Sequence, residues 1–248
     1  MDKPRAKQPS SAVRRAHRRL TRSALVLAAV SAILAIAFYS LSRAVAGGRT
    51  EAVDRQILLA MRTPGDLADP VGPRWMEEVG RDVTALGGMT VLTGVTLLAT
   101  AFFWLASIRH AAIYVCLACF GAMLLSSMLK QIYDRPRPDL VPYGAMVYTS
   151  SFPSGHSTMA ATVYLTLGMV ASRFVPRRRL KALFIGVAIL VTAAVGVSRV
   201  YLGVHWPTDV LAGWAIGASW ALVCWCVAVW LQDEGVIEQE DEATLAPE

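Results

Sequence analysis

Six apolar stretches, each close to the length that crosses a bilayer, dominate this 248-residue chain and decide what it can become. A helix needs about 20 mostly apolar residues to span the hydrocarbon. The candidates are Ser23–Leu41, Met89–Ser107, Ala111–Leu129, His156–Phe174, Ala182–Val200 and Asp209–Leu231. Each is too long for a strand, and none has a charge near its centre. Charged residues make up only 17% of the chain and hydrophobic ones 55%, against about 25% charged in a soluble domain. That excludes a water-soluble globule, and it excludes disorder, which needs the opposite balance. The expected fold class is all-α: a polytopic membrane protein with six transmembrane helices.

Within the spans, Gly213 and Gly217 stand four residues apart. Small residues at that spacing suit close helix approach, here read as internal packing rather than dimerisation. The four cysteines set no disulfide framework. Cys116 and Cys119 lie in one apolar stretch and Cys224 and Cys226 in another, where a thiol usually behaves as a small hydrophobe.

Lysine and arginine in short flanking segments orient such a chain. The tail before the first span holds Lys3, Arg5, Lys7, Arg14, Arg15, Arg18, Arg19 and Arg22. The link between the fourth and fifth spans holds Arg173, Arg177, Arg178, Arg179 and Lys181. Six alternating spans put these two segments on one face, so both are expected in the cytoplasm, together with the C-terminus. The domains are then a basic cytoplasmic tail (1–22), a six-helix membrane domain (23–231) and an acidic cytoplasmic tail (232–248). Anionic-lipid contact explains the basic tail better than nucleic acid does, beside a membrane span. Ala44-Val45-Ala46 resembles a signal-peptidase site, but the apolar run before it, Ala24 to Leu41, is 18 residues long. That exceeds the usual 7–15, and an uncleaved first helix is expected.

Parity leaves three segments outside: Gly47–Gly88, Lys130–Gly155 and Tyr201–Thr208. In the first, Val53, Ile57 and Met61 repeat at helical spacing, as do Trp75, Val79, Val83 and Leu86. These read as short amphipathic helices at the interface, broken by Pro64, Pro70 and Pro73. They serve either as a rim for lipid access or as plain surface packing.

Ionisable groups at one end of membrane helices mark a functional site by default. Lys130, Arg137 and Arg199 end three different stretches in one layer, where they would repel one another unless an anion lay between them. Arginine offers a planar fork for phosphate oxygens and lysine a compact charge; the alternative for each singly is snorkelling to headgroups. Pro153-Ser154-Gly155-His156 reads as a helix start. Ser154 caps it, Gly155 admits a ligand to the backbone, and the first N–H groups form an anion site. His205 and Asp209 stand four apart around Pro207. An ionised Asp209 would keep one imidazole nitrogen protonated and leave the other a free lone pair, suited to a nucleophile or base. The same segment is equally readable as a capped helix with an interfacial histidine. Taken together, an anion cradle, an oriented histidine and a second histidine able to supply a proton describe phosphoryl transfer. No carboxylate cluster for Mg²⁺ and no zinc set is visible.

At these residues the sequence resembles the type 2 phosphatidic acid phosphatases, or lipid phosphate phosphatases. Their signature K-x6-R-P, P-S-G-H and S-R-x5-H-x3-D stands complete as Lys130 to Arg137-Pro138, Pro153 to His156, and Ser198-Arg199 to His205 to Asp209. The resemblance implies that His205 is the nucleophile, passing through a phosphohistidine, with Asp209 orienting it. His156 is implied as the general acid, and Lys130, Arg137, Ser154, Gly155 and Arg199 as phosphate binders. It also implies that no metal or other cofactor is needed. The expected activity is hydrolysis of a membrane-lipid phosphate or diphosphate at the outer face of a bacterial cytoplasmic membrane. Undecaprenyl diphosphate is the first expected substrate. Phosphatidate, phosphatidylglycerophosphate or a lipid A phosphate are alternatives, and a non-catalytic lipid binder or transporter is the reading from another class.

Overall fold

The computed structural model describes residues 11–139 and 150–233, with side chains from Ala24 onward. Lys3, Arg5 and Lys7 of the basic tail and the acidic residues from Glu234 onward lie outside the described residues, as does the middle of the expected second outer segment.

Every expected span is a helix. α1 (Ser11–Ala46) is followed by α2 (Glu51–Ala60), β1 (Arg62–Thr63), β2 (Asp66–Pro70) and α3 (Arg74–Ala85). Then come α4 (Met89–Leu105), α5 (Arg109–Ile132), α6 (Gly155–Arg173), α7 (Arg178–Tyr201) and α8 (Pro207–Asp233). Length and apolarity qualify four described helices to cross a membrane: Ala24–Ala46, Arg109–Ile132, Arg178–Tyr201 and Pro207–Gln232. α3 and α4, bent by 46° at their junction, qualify together as a fifth.

α6 falls short for a physical reason. It is the central helix, packed between α7, α8 and α5, and its buried face includes Ser157, Thr158, Thr162 and Thr166. A helix walled in by protein need not be apolar, because its hydroxyls face protein and not lipid. Thr158 donates to the Ser154 carbonyl at 2.9 Å and Thr162 to the Gly217 carbonyl at 3.1 Å.

The outer helices show the reverse amphipathy of membrane proteins. On α5, Ala112, Val115, Cys119, Ala122 and Ser126 are buried, while Ile113, Leu117, Phe120, Leu124 and Met128 face outward. Small residues pack inside and large apolar ones meet the surroundings, as expected where lipid is as apolar as leucine. Gly213 and Gly217 lie against α6, as their spacing predicts. A Cβ on Gly213 would come within 2.8 Å of the Ser154 carbonyl oxygen, and one on Gly217 would overlap the Thr158 carbonyl oxygen.

One expectation is corrected in the first outer segment. The fold is not purely helical: β1 and β2 form an antiparallel hairpin, turned at Pro64-Gly65 with Gly65 at φ +93°. On α2 the apolar residues Val53 and Ile57 are exposed, as on a helix lying at an interface. The buried face is instead Asp54 and Leu58, both fully buried. Leu58 packs with Val200 and Val210 and so seats α2 over the ends of α7 and α8.

Candidate active site

Six of the eight residues singled out in the sequence line one cavity of about 290 Å³: Lys130, Arg137, Gly155, His156, Arg199 and His205. Gly87, Met89, Met123, Ser126, Ser127 and Met159 complete its wall. The cavity lies where α5 and α7 end and α6 and α8 begin. Helix ends supply it with two cations from α5 and α7 and with the N–H groups of α6.

The remaining two residues lie just behind. Ser154 is fully buried and caps α6, its side chain accepting from the Ser157 N–H. Its own N–H donates to the Asp209 carbonyl at 3.0 Å, tying the start of α6 to the start of α8. Gly155 is close enough to Lys130 that a Cβ would lie 3.4 Å from Cε. The lysine stem thus runs along the bare backbone, and Nζ donates to the Ser150 carbonyl at 3.3 Å.

His205 sits in a tight frame. α7 ends at Tyr201 with Leu202 as its C-cap, and Gly203 takes the left-handed conformation at φ +72°, the usual helix-stop geometry. Pro207 opens α8, a position that needs no N–H. Between them, Arg137 Nη1 lies 3.1 Å from His205 Nε2 and donates to the Val204 carbonyl at 3.0 Å. A guanidinium only donates, so Nε2 is the acceptor and the imidazole proton sits on Nδ1. Nδ1 faces Asp209 Oδ2 at 3.4 Å and Ser151 Oγ at 3.3 Å. Burial, opposed by the Asp209 carboxylate, brings the His205 pKa down to about 4. The ring is therefore neutral at pH 7, with its lone pair on the cavity side. Burial also lowers the Arg137 pKa, with Asp209 opposing.

Asp209 is fully buried and multiply held. Oδ1 accepts from Arg135 Nη1 at 2.6 Å, and Oδ2 accepts from the Ser151 hydroxyl and from the Trp206 N–H at 3.0 Å. The last bond is half of a capping box, in which a third-position carboxylate reaches back to the N-cap N–H.

Arg199 donates to Thr84 Oγ1 at 3.1 Å, while its Nε is a buried donor with no protein partner. An anion in the cavity would satisfy such a donor.

Sequence reasoning named the cavity residues and passed over those that support them: Asp54, Thr84, Arg135 and Ser151. Arg135 and Ser151 stand in the second outer segment, close in sequence to the signature residues, and that closeness was the only signal they carried. Asp54 and Thr84 gave none, because only the tertiary fold brings them to the site. Among the described residues no group of three or more His, Cys, Asp or Glu side chains is placed to hold a metal.

Residues 111–233 match the PAP2 superfamily. The chain is 35% identical over 147 residues to phosphatidylglycerophosphatase B of Bacillus subtilis, covering 58% of this chain and 70% of that one. It is 33% identical over 109 residues to lipid A 1-phosphatase of Rhizobium johnstonii, covering 40% and 41%. The match to undecaprenyl-diphosphatase of Sulfolobus acidocaldarius is 40% over only 70 residues, 28% of this chain and 29% of that one. In three dimensions, the crystal structure of a transmembrane PAP2-type phosphatidylglycerolphosphate phosphatase from Bacillus subtilis superposes with a TM-score of 0.71 at 28% identity. It covers 85% of this chain and 98% of that one. With the signature intact, its residues gathered in and directly behind one cavity, and these similarities alongside, the chain belongs to the PAP2 superfamily.

Proposed function

We propose that this protein is an integral membrane lipid phosphatase that works through a phosphohistidine on His205. The observation that carries the reading is the cavity itself. A neutral imidazole presents Nε2 to it, backed at Nδ1 by Asp209, with Lys130, Arg137 and Arg199 around it.

The chemistry follows in two displacements. The phosphate oxygens settle among the three cations and the first N–H groups of α6, which also spread the charge of the five-coordinate transition state. His205 Nε2 attacks phosphorus while the bond to the leaving oxygen breaks, and His156, entering the step as the imidazolium beside the bound anion, gives that oxygen a proton. His156 then takes a proton from water as the water oxygen attacks the phosphohistidine, freeing inorganic phosphate and restoring His205. Asp209 steadies the imidazolium character that develops on His205 during the first step. Positive charge is supplied by side chains, so the reaction runs without a metal ion.

The similarity to phosphatidylglycerophosphatase B supports phosphatidylglycerophosphate as substrate. Undecaprenyl diphosphate, expected first from carrier-lipid recycling at the outer face, has the shorter similarity behind it. The chain crosses a cytoplasmic membrane six times, with both termini inside and the cavity facing the periplasm or exterior. Six alternating spans are supported by the basic residues flanking α6 and α7 and by the shared end at which Lys130, His156, Arg199 and His205 meet.

The test is phosphate release by detergent-purified protein in excess EDTA, with phosphatidylglycerophosphate, undecaprenyl diphosphate and phosphatidate as substrates. Release that vanishes in His205→Ala is the expected outcome. Release that persists in that variant would sink the covalent mechanism, and release abolished by EDTA would sink the metal-free reading.

A further inference from the structure

Asp54 belongs to α2, outside residues 111–233 that match the superfamily, and yet it is fully buried against the proposed catalytic turn. A buried carboxylate is costly unless paired and hydrogen-bonded, and this one is saturated. Oδ2 accepts from Arg135 Nη2 at 2.7 Å and from the Thr208 hydroxyl at 2.6 Å. Oδ1 accepts from the Thr208 N–H at 2.9 Å, one of the orphan donors at the start of α8. Asp54 thus caps α8 from another helix.

Arg135 is the bridge. Its Nη1 donates to Asp209 Oδ1 at 2.6 Å and to Thr208 Oγ1 at 2.8 Å, while Nη2 is taken by Asp54. One guanidinium therefore lies between two carboxylates, with its side chain only 12% exposed. Its plane is further fixed by the Trp206 ring, 5.5 Å away, whose Nε1–H donates to the Pro136 carbonyl at 2.9 Å. Ser151 and the Trp206 N–H hold Asp209 at Oδ2, and the Arg135 fork, anchored at its far end by Asp54, holds it at Oδ1.

We infer that Asp54 is a positioning residue: through Arg135 and the first turn of α8 it holds Asp209 so that Oδ2 addresses His205 Nδ1. The segment between the first two spans is thereby part of the catalytic apparatus, acting on the nucleophile's orientation and not on phosphate binding. None of Lys130, Arg137, Arg199 or His156 makes a described hydrogen bond to Asp54. This inference rests on the phosphatase reading of His205.

The experiment compares the detergent-purified full chain with Asp54→Asn and Arg135→Lys, each first shown to be folded and monodisperse. Three quantities are read: kcat and KM for lipid phosphate, affinity for inorganic phosphate, and affinity for orthovanadate. Orthovanadate becomes five-coordinate by taking one further ligand, and in the phosphatase reading that ligand is His205 Nε2, so it senses the nucleophile, whereas phosphate senses the cradle. Misplacing a reacting group by about 1 Å costs on the order of a hundredfold. The expected result is a ten- to hundredfold fall in kcat and at least a tenfold loss of vanadate affinity. KM and phosphate affinity should stay within twofold. The double variant should be no worse than the more severe single one, because both act through one fork.

Folded variants with kcat and vanadate affinity within twofold of wild type overturn the inference, as does a double variant whose losses multiply. If Asp54→Asn does not fold, Arg135→Lys decides alone by the same criteria. A wild type that binds vanadate but releases no phosphate sinks the phosphatase reading, and the vanadate comparison still decides on Asp54. A wild type that binds neither overturns both.

Discussion

At the scale of residues, the proposed mechanism gives the two histidines separate roles. His205 is enclosed, neutral, and held at both ring nitrogens. A 15N-histidine NMR titration, with its signal assigned by loss in His205→Ala, should show charging near pH 4 and not near 6.5. The sign for stability follows. The unfolded chain takes up this proton first, so the contribution of His205 is complete above about pH 6.5 and declines as pH falls toward 4. A midpoint near 6.5 would mean a wetter, looser ring. His156 is tested by leaving group. His156→Ala should cost about 10²- to 10⁴-fold with a lipid phosphate, whose alkoxide needs a proton, and far less with an activated aryl phosphate. Equal losses on both would remove its role as acid. The signature residues were legible because each is a chemical type fixed at a spacing: a lysine, two arginines and two histidines at helix ends or in the segments that follow them. Asp54 and Thr84 were not. An aspartate beside Val53 in a polar surface segment reads as solvated, and nothing local says that α2 turns it inward.

Element by element, helix type and position were legible to within a few residues, since a twenty-residue apolar run has one outcome in lipid. The exceptions have local causes. α1 begins at Ser11, ahead of the apolar run, because a helix does not stop where hydrophobicity does. The β1–β2 hairpin was hidden by a short stretch without alternation, and only Pro64-Gly65 hinted at the turn. Close approach of α8 to α6 depends on glycine, and this is testable. Gly217→Ala places a methyl on the Thr158 backbone carbonyl, which cannot yield without parting the helices. It should cost about 1–3 kcal/mol. Gly186→Ala, with nothing within 4 Å of its new methyl, should be neutral or stabilise by up to about 1 kcal/mol. Thermal unfolding in one detergent, followed by tryptophan fluorescence, compares them. Equal stability would mean that α6 and α8 are further apart than described.

For the whole molecule, the decisive element is the one that hydropathy undervalues. α6 is too polar to qualify as a span alone, yet it carries His156 and connects the cavity to the basic link at Arg173–Lys181. If it crosses, the chain makes six passages, and the segments before and after it lie on opposite sides. If it does not, the site cations and the basic link share one side, and thirteen basic residues of the tail and link no longer sort with the positive-inside bias. The 19 residues of α6 rise about 28 Å, close to the roughly 30 Å of hydrocarbon. Its polar face is also covered by α5, α7 and α8, so no hydroxyl need meet lipid. Reporter fusions after Asp139 and after Arg178 resolve the matter. An alkaline phosphatase reporter, active only outside the cytoplasm, should be active at the first junction and silent at the second. A fluorescent protein that matures in the cytoplasm should show the reverse. Both junctions on one side would reduce the chain to five passages and would put the phosphate cavity and the basic link in the same compartment.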